Sequence, residues 1–188
     1  FLLHQQGLNM TGWLYHRFSL TSEFARIFDE TRWEQYNLFN VRYVVAPEAQ
    51  VFPGFVKPLG QFGRHHLYEV QTTGYFDLVD SDVTLAGERE DFFPAASSWA
   101  ASGLLRVKQH PQVLIGSSSE EVENSVPLSA APDVIPRIQV SAGPSRGIVV
   151  TEEVGDDFFA ADVKVERDSL LMLKATYHPN WRATVNGV

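Results

Sequence analysis

The last third of the chain has the period-two alternation of hydrophobic and polar positions that is typical of β-strands. Phe159, Ala161, Val163 and Val165 alternate with Ala160, Asp162, Lys164 and Glu166, which predicts a strand with one solvent-facing side. Further strands are predicted at residues 135–140, 147–152, 169–177 and 181–185, separated by short polar turns. These features predict an antiparallel, jelly-roll-like β-sandwich for residues 126–188.

The first two thirds of the chain mix helical and strand patterns. Apolar residues at helical spacing predict helices at residues 21–28, 31–39 and 88–105, with Pro94 in the first turn of the last one. Strands are predicted at residues 41–46, 67–70, 75–79 and 113–115, and a long loop at residues 48–65, where Pro and Gly recur. We therefore expect an α+β protein whose N-terminal α/β lobe covers residues 1–125. The boundary is placed within residues 116–133, because Ser, Glu, Pro and Ala dominate that stretch.

The segment from Ser169 to Gly187 organises the end of the chain. Pro179 lacks an amide proton and is expected to end one strand before Trp181 begins the next. Asn186 and Gly187 both tolerate positive φ, so they predict a tight hairpin turn. Only Val188 follows this turn, and the chain is expected to be a piece of a longer protein, truncated at its C-terminal hairpin.

Composition and charge narrow the possible partners. A net charge of -8 over 188 residues argues against nucleic-acid binding, which needs clustered Lys and Arg. The chain has no cysteine, so disulfides, thiolate catalysis and thiolate metal sites are excluded. No stretch approaches the roughly 18 to 20 apolar residues of a membrane span, which predicts a soluble piece.

The sequence contains no arrangement of residues typical of a catalytic site. His65 and His66 are neighbours on a predicted strand and point to opposite faces, so they are poor joint metal ligands, and we expect no metal site. Acidic clusters, including Asp80 with Asp82, are interpreted as solvated turns. Nucleophile elbows, Walker loops and dinucleotide fingerprints are absent from the sequence, so no cofactor is expected and no catalytic residue is assigned.

Aromatic residues offer a different chemistry. Trp181 lies between Asn180 and Arg182 at the Pro179 corner, and a flat indole face can stack on a sugar ring while neighbouring polar groups reach hydroxyls. These three residues are the candidate carbohydrate-binding site. A tryptophan at the start of a strand is also a common core residue, and this alternative applies to Trp181 as well as to Trp33 and Trp99.

Three segments resemble a known family. Residues 177–183 (YHPNWRA) with Val185-Asn186-Gly187, residues 38–45 (LFNVRYVV) and residues 66–70 (HLYEV) are similar to segments of YfhO-type bacterial membrane proteins. Asn180 and Asn186 depart from the glycine and aspartate that are usual there, and both substitutes suit turns. The resemblance implies an extracytoplasmic region of a polytopic membrane protein related to glycosyltransferases that use lipid-linked sugars. The catalytic residues of those enzymes lie outside the matched segments, so none is carried over.

Three functions are compatible with the sequence. The first is an accessory domain at the extracytoplasmic face of the bacterial cell membrane, held there by flanking helices and contacting a glycan, a polymer acceptor or a lipid-linked sugar. The second is a free-standing carbohydrate-binding β-sandwich. The third is a structural domain that packs on membrane-embedded neighbours.

Overall fold

The structure is a computed structural model that describes residues 27–176 and 178–188. It contains three α-helices: α1 (Trp33–Leu38), α2 (Phe92–Ala101) and α3 (Ala131–Val134). Its ten strands are β1 (Tyr43–Pro47), β2 (Val56–Phe62), β3 (His65–Val70), β4 (Phe76–Val79), β5 (Thr84–Gly87), β6 (Gln112–Ile115), β7 (Val126–Pro127), β8 (Gly147–Val154), β9 (Phe159–Val165) and β10 (Leu170–Leu173). The described chain is therefore a mixed α+β protein, as predicted. Most of the predicted helix at residues 21–28 lies outside the described residues.

The first sheet is antiparallel and has the order β1-β3-β2. Its inner face and helix α1 enclose a cluster of buried apolar residues. The members of this cluster are Tyr36, Ala46, Val56, Tyr68 and Val70. The rings of Phe28 and Phe55 pack edge-on against Tyr36, with centroid distances of 4.9 and 5.4 Å. Helix α1 is thus held on the sheet by aromatic packing.

Strand β2 corrects the sequence interpretation of residues 48–65 as a loop. Pro58 and Gly60 are residue types that usually interrupt strands, but β2 is an edge strand, where the missing amide proton of a proline is tolerated. The register shifts between Pro58 and Gly60, which is where a bulge absorbs the irregularity. Gly63 then turns the chain into β3 with a φ of 62°.

A parallel sheet with the order β6-β5-β7 forms the second unit, and helix α2 connects β5 to β6. Its core combines Leu85 of β5 and Ala95 of α2 with Leu128, Ala131 and Ile135. The last three residues come from the sequence range that was predicted to belong to the second lobe. The boundary at residues 125/126 stays a prediction, while the packing places residues 128–135 against the parallel sheet.

The predicted strand at residues 135–140 is wrong, because residues Ile135–Arg137 form a 3-10 helix that follows α3. Pro136 stands in the first turn of this helix and has no amide proton to donate to a strand ladder. The short helices let Leu128 and Ile135 become almost completely buried, with 0% and 1% of their surface exposed.

Two antiparallel pairs complete the described chain: β10 with β4, and the hairpin β8–β9. In β9 the predicted alternation is confirmed for Phe159, Ala161 and Val163, which are half-buried, whereas Val165 is exposed. The predicted strand at residues 181–185 is wrong, because these residues have no strand conformation and the Trp181 amide donates to the His178 carbonyl in a turn. The predicted tight turn is confirmed, since Asn186 and Gly187 have φ values of 53° and 81°.

We expect replacement of Leu128 by Ala to lower the free energy of unfolding by about 2 to 5 kcal/mol, because it removes a fully buried side chain from the core under α2. Leu59→Ala is the matched control, since 52% of Leu59 is exposed on edge strand β2, and its effect should stay below about 1 kcal/mol. Urea unfolding of both variants measures the difference. Equal effects would contradict the packing of residues 128–135 in this core.

Candidate functional sites

Strand β4 has the sequence FDLV, is buried along its whole length, and is followed directly by Asp80. Asp77 and Asp80 have only 4% and 8% of their surface exposed. Residues three apart in an extended strand lie on opposite faces, so the two carboxylates serve two separate networks. Buried carboxylates require charged or hydrogen-bonding partners, and both networks supply them.

Asp77 is bound by two lysines. The Nζ atoms of Lys108 and Lys174 lie 2.5 and 3.0 Å from its carboxylate oxygens. Asn37 of α1 and Thr73 add hydrogen bonds of 3.1 and 2.9 Å to the same carboxylate. Both carboxylate oxygens of Asp77 therefore have partners. The contacts connect β4 to α1 and to the segments that carry Lys108 and Lys174, and they leave no free base.

Opposing effects set the pKa values in this network. Burial alone would raise the pKa of Asp77, but the hydrogen bond from Lys108 and the charge of Lys174 outweigh it, and the pKa lies below its usual value. Burial lowers the pKa of Lys174, whereas the charge of Asp77 acts against this change. The close pairing therefore favours the charged form of Asp77.

Asp80 is held by two arginines. The guanidinium of Arg167 binds both carboxylate oxygens, at 2.8 and 2.7 Å, and Arg146 approaches to 2.6 Å. Hydrogen bonding from Arg167 is the main reason that the pKa of Asp80 falls to about 2, and burial acts in the opposite direction. The interpretation of Asp80 as part of a solvated turn was wrong. An aspartate directly after a strand in which three of the four residues are apolar was the signal in the sequence.

The hairpin β8–β9 is attached to both ends of β4. Arg146 precedes β8 and Arg167 follows β9, and both reach Asp80 at the end of β4. At the start of β4, the carboxylate of Glu152 accepts the amide protons of Tyr75 and Phe76, at 2.9 and 2.8 Å. These contacts set the position of the hairpin relative to β4.

The predicted carbohydrate-binding residues lie on an exposed turn after β10. Trp181 is 37% exposed, its ring centroid lies 5.7 Å from that of Phe159, and its Nε1 donates to the Thr176 carbonyl at 3.1 Å. Asn180 and Arg182 flank it and are exposed. Arg182 donates to the carbonyls of Pro179 and Trp181, which folds its side chain back over the turn.

Trp181 stands at the end of a row of three aromatic rings. Phe159 of β9 lies between Trp181 and Tyr75, with centroid distances of 5.7 and 5.0 Å. Because Tyr75 directly precedes β4, the turn is packed through this row onto the same strand that holds the hairpin. The row was not predicted, because its members are distant in sequence.

An apolar cavity of about 200 Å³ lies between α2 and the parallel sheet. Its lining includes Leu85, Val113 and Leu128 from the sheet side and Ala95 and Ala96 from the helix. Phe92, Trp99, His110 and Pro111 form the rest of the lining and are half-buried, so the cavity reaches the surface. The sequence pattern does not indicate this cavity, because the small residues of α2 resemble ordinary helix formers.

His110 lies between this cavity and the Asp77 network. It also lines a second cavity of about 20 Å³, the size of a single water molecule, together with Asn37, Asp77 and Lys108. Its ring packs edge-on against Trp99 with a centroid distance of 5.1 Å. Burial lowers the pKa of His110 to about 4, against the opposing charge of Asp77, so the imidazole is neutral near pH 7.

Neither a metal centre nor a membrane span is found in the described part of the chain. Within residues 27–176 and 178–188, no group of three or more His, Asp or Glu side chains is placed to hold a metal ion. None of the helices in these ranges has the length and apolar character needed to cross a bilayer. The chain matches no known protein family, no curated protein and no solved structure.

Asp80→Asn should lower the free energy of unfolding at pH 7 by about 1 to 3 kcal/mol, because it leaves two half-buried cations without their anion. A folded-state pKa of about 2 lies below the ordinary value of 3.8, so the native Asp80 stabilises the fold fully above about pH 4 and loses this effect as the pH falls toward 2. The difference in the free energy of unfolding between the native chain and the variant should therefore shrink from about pH 4 to pH 2. Urea unfolding of both proteins at several pH values measures this difference.

Asp82→Asn is the control for this experiment, since Asp82 is exposed and bonds only Gln109 at 2.6 Å among the described residues. Its effect should stay below about 1 kcal/mol at every pH. A similar loss in both variants would show that the buried pairing of Asp80 is not what stabilises this region.

Proposed function

We propose that this chain is an accessory domain at the extracytoplasmic face of a bacterial cell membrane. It belongs to a YfhO-type membrane protein related to glycosyltransferases that use lipid-linked sugars, and it contacts a glycan or polymer acceptor through Trp181, Asn180 and Arg182. Flanking membrane helices outside this sequence anchor it. The observation that carries the glycan contact is the half-exposed ring of Trp181 on a packed aromatic row.

The positions of the matched segments support the family assignment. Residues 38–45 begin at the end of helix α1 and continue into β1, and a short helix that leads into a strand is what the resemblance implies there. Residues 66–70 lie in β3, the direct neighbour of β1. Residues 178–183 form the exposed turn that presents Trp181.

The geometry of Trp181 supports stacking as the mode of glycan contact. Its ring nitrogen is already bonded to the Thr176 carbonyl, so the ring offers an apolar face rather than a hydrogen-bond donor. Sugar rings present C–H groups on one face and hydroxyls at the rim, which suits an aromatic face with polar neighbours. Asn180 and the exposed part of Arg182 are within the same turn and provide the polar rim.

We propose that the jelly-roll-like β-sandwich predicted for residues 126–188 also includes β4 of the N-terminal part, with β10–β4 and β8–β9 in the two facing sheets. The amides of Tyr75 and Phe76 donate hydrogen bonds to the carboxylate of Glu152 in β8. These bonds support the arrangement, because they join one pair of strands to the other. The half-buried face of β9, with Ala161 and Val163, supplies apolar side chains for the interior.

A structural domain that packs on membrane-embedded neighbours is the second candidate. It is favoured by exposed apolar side chains near the C-terminal strands. These are Ile148 at 58%, Val150 at 57%, Val154 at 50%, Leu170 at 56% and Leu171 at 45% exposure. Under this proposal the domain would bind no glycan. A free-standing carbohydrate-binding β-sandwich, in contrast, would share the Trp181 site.

Trp181→Ala should weaken glycan binding by at least about tenfold, the loss expected when one stacking contact is removed. The variant should stay folded, with a loss of unfolding free energy below about 3 kcal/mol, the lower end for a core tryptophan. A glycan array identifies the ligand, and calorimetric titration with that ligand measures the change.

Phe62→Ala is the matched control, because 68% of Phe62 is exposed on edge strand β2, outside the aromatic row. Its glycan binding should equal that of the native chain. Absence of binding by the folded native chain would favour the structural domain, and binding that survives in Trp181→Ala would place the glycan site elsewhere.

A further inference from the structure

The apolar cavity under α2 has a shape and lining suited to a small ligand. Ala95 and Ala96 carry only methyl groups on the helix side, and the accessible wall is formed by half-buried residues that include Phe92, Trp99 and Val113, above a floor of almost completely buried Leu85 and Leu128. About 150 Å³ is enough for a closed cavity lined by Leu, Ile and Phe to accept benzene. At about 200 Å³ this cavity holds a single six-membered ring with a substituent, and it is smaller than the pockets of drug-sized ligands.

The lining determines the charge of the ligand. None of the described residues that line the cavity is an acid, a lysine or an arginine. A charged ligand would therefore lose its hydration without gaining a counter-ion. Water is also held poorly, because it needs two to four polar partners and the lining is almost entirely apolar. An uncharged apolar ring can therefore displace water from the cavity with little loss of hydrogen bonding.

Two of the described lining residues, Trp99 and His110, have polar side-chain atoms. The indole N–H of Trp99 donates a hydrogen bond to the Gln109 carbonyl at 2.9 Å, so His110 is the residue that can orient a ligand. The His110 ring nitrogens have no hydrogen-bond partner within the described residues, and edge-on packing against Trp99 fixes the ring plane. A neutral imidazole has one hydrogen-bond donor and one acceptor, so it can accept a hydrogen bond from a hydroxyl or donate one to it.

We propose that this cavity binds a small uncharged molecule that consists of one aromatic or aliphatic ring and one hydroxyl, with the ring against Ala96 and Val113 and the hydroxyl on His110. Phenol represents this class. The site is separate from the Trp181 turn, because none of its described lining residues belongs to that turn or to the aromatic row. It therefore stands independently of the proposed glycan contact.

The test is a titration of the native chain with phenol, toluene and benzoate, followed by amide chemical shifts in ¹H–¹⁵N spectra. Phenol should give saturable shifts centred on Ala95, Ala96 and Val113. Toluene should bind about three- to tenfold more weakly, because it lacks the hydrogen bond to His110. Benzoate should bind more weakly than toluene, because its charge must be buried without a partner.

Three variants locate the site. Ala96→Leu fills the cavity and should weaken phenol binding by about tenfold or more, while Ala101→Leu, an exposed position on the same helix, should leave it unchanged. Val113→Phe fills the cavity from the sheet side and replaces Ala96→Leu if that variant does not fold. His110→Phe should make phenol and toluene bind equally.

Several results would overturn the proposal. They are the absence of saturable shifts with phenol, shifts centred on other residues, and unchanged affinity in a folded filling variant. Tighter binding of benzoate than of phenol would also overturn it, because it would show that the site recognises an anion.

Discussion

The described structure depends on the neutralisation of two buried carboxylates on and after β4. Asp77 and Asp80 lie in a segment with almost no solvent contact, and a buried carboxylate without a partner costs several kcal/mol. Their cationic partners are Lys108, Arg146, Arg167 and Lys174, all of which follow β4 in the chain. Each partner must return to β4, so the two aspartates bring the β6-side connection, the β8–β9 hairpin and the end of β10 onto one strand. Ion pairs of this kind contribute little net stability compared with apolar packing, but an arrangement that leaves one of them unpaired is strongly disfavoured.

The two candidate sites depend on this strand in different ways. Trp181 rests on Phe159 of the hairpin, and Phe159 rests on Tyr75 at the start of β4. The direction in which the Trp181 ring faces is therefore linked to the contacts that hold the hairpin. The cavity depends on the opposite side of the same region, because His110 lines both the cavity and the small space beside Asp77. Its neutral state follows from burial, which outweighs the attraction of the Asp77 charge.

The two candidate sites differ in exposure and polarity, so they suit different classes of ligand. The Trp181 turn is exposed, has polar neighbours, and suits a hydroxyl-rich surface such as a glycan. The cavity under α2 is apolar, has a single orienting imidazole, and suits a small uncharged ring. Neither site contains the paired carboxylates or the nucleophile and base that hydrolysis or group transfer would require.

Local elements with an unambiguous residue pattern follow from the sequence alone. Alternation predicted β9, helical spacing predicted α1 and α2, and Asn186-Gly187 predicted a tight turn, because backbone sterics and side-chain period act over a few residues. The features that require contacts between distant segments are visible only in the tertiary structure. Residues 56–62 are a strand only because β3 lies beside them, and residues 135–137 are helical because Ile135 is buried against Leu85 and Ala95. The pairing of Asp80 with Arg146 and Arg167, the aromatic row under Trp181 and the cavity beside His110 all join segments far apart in sequence. Such contacts leave no local period, so a single sequence cannot reveal them.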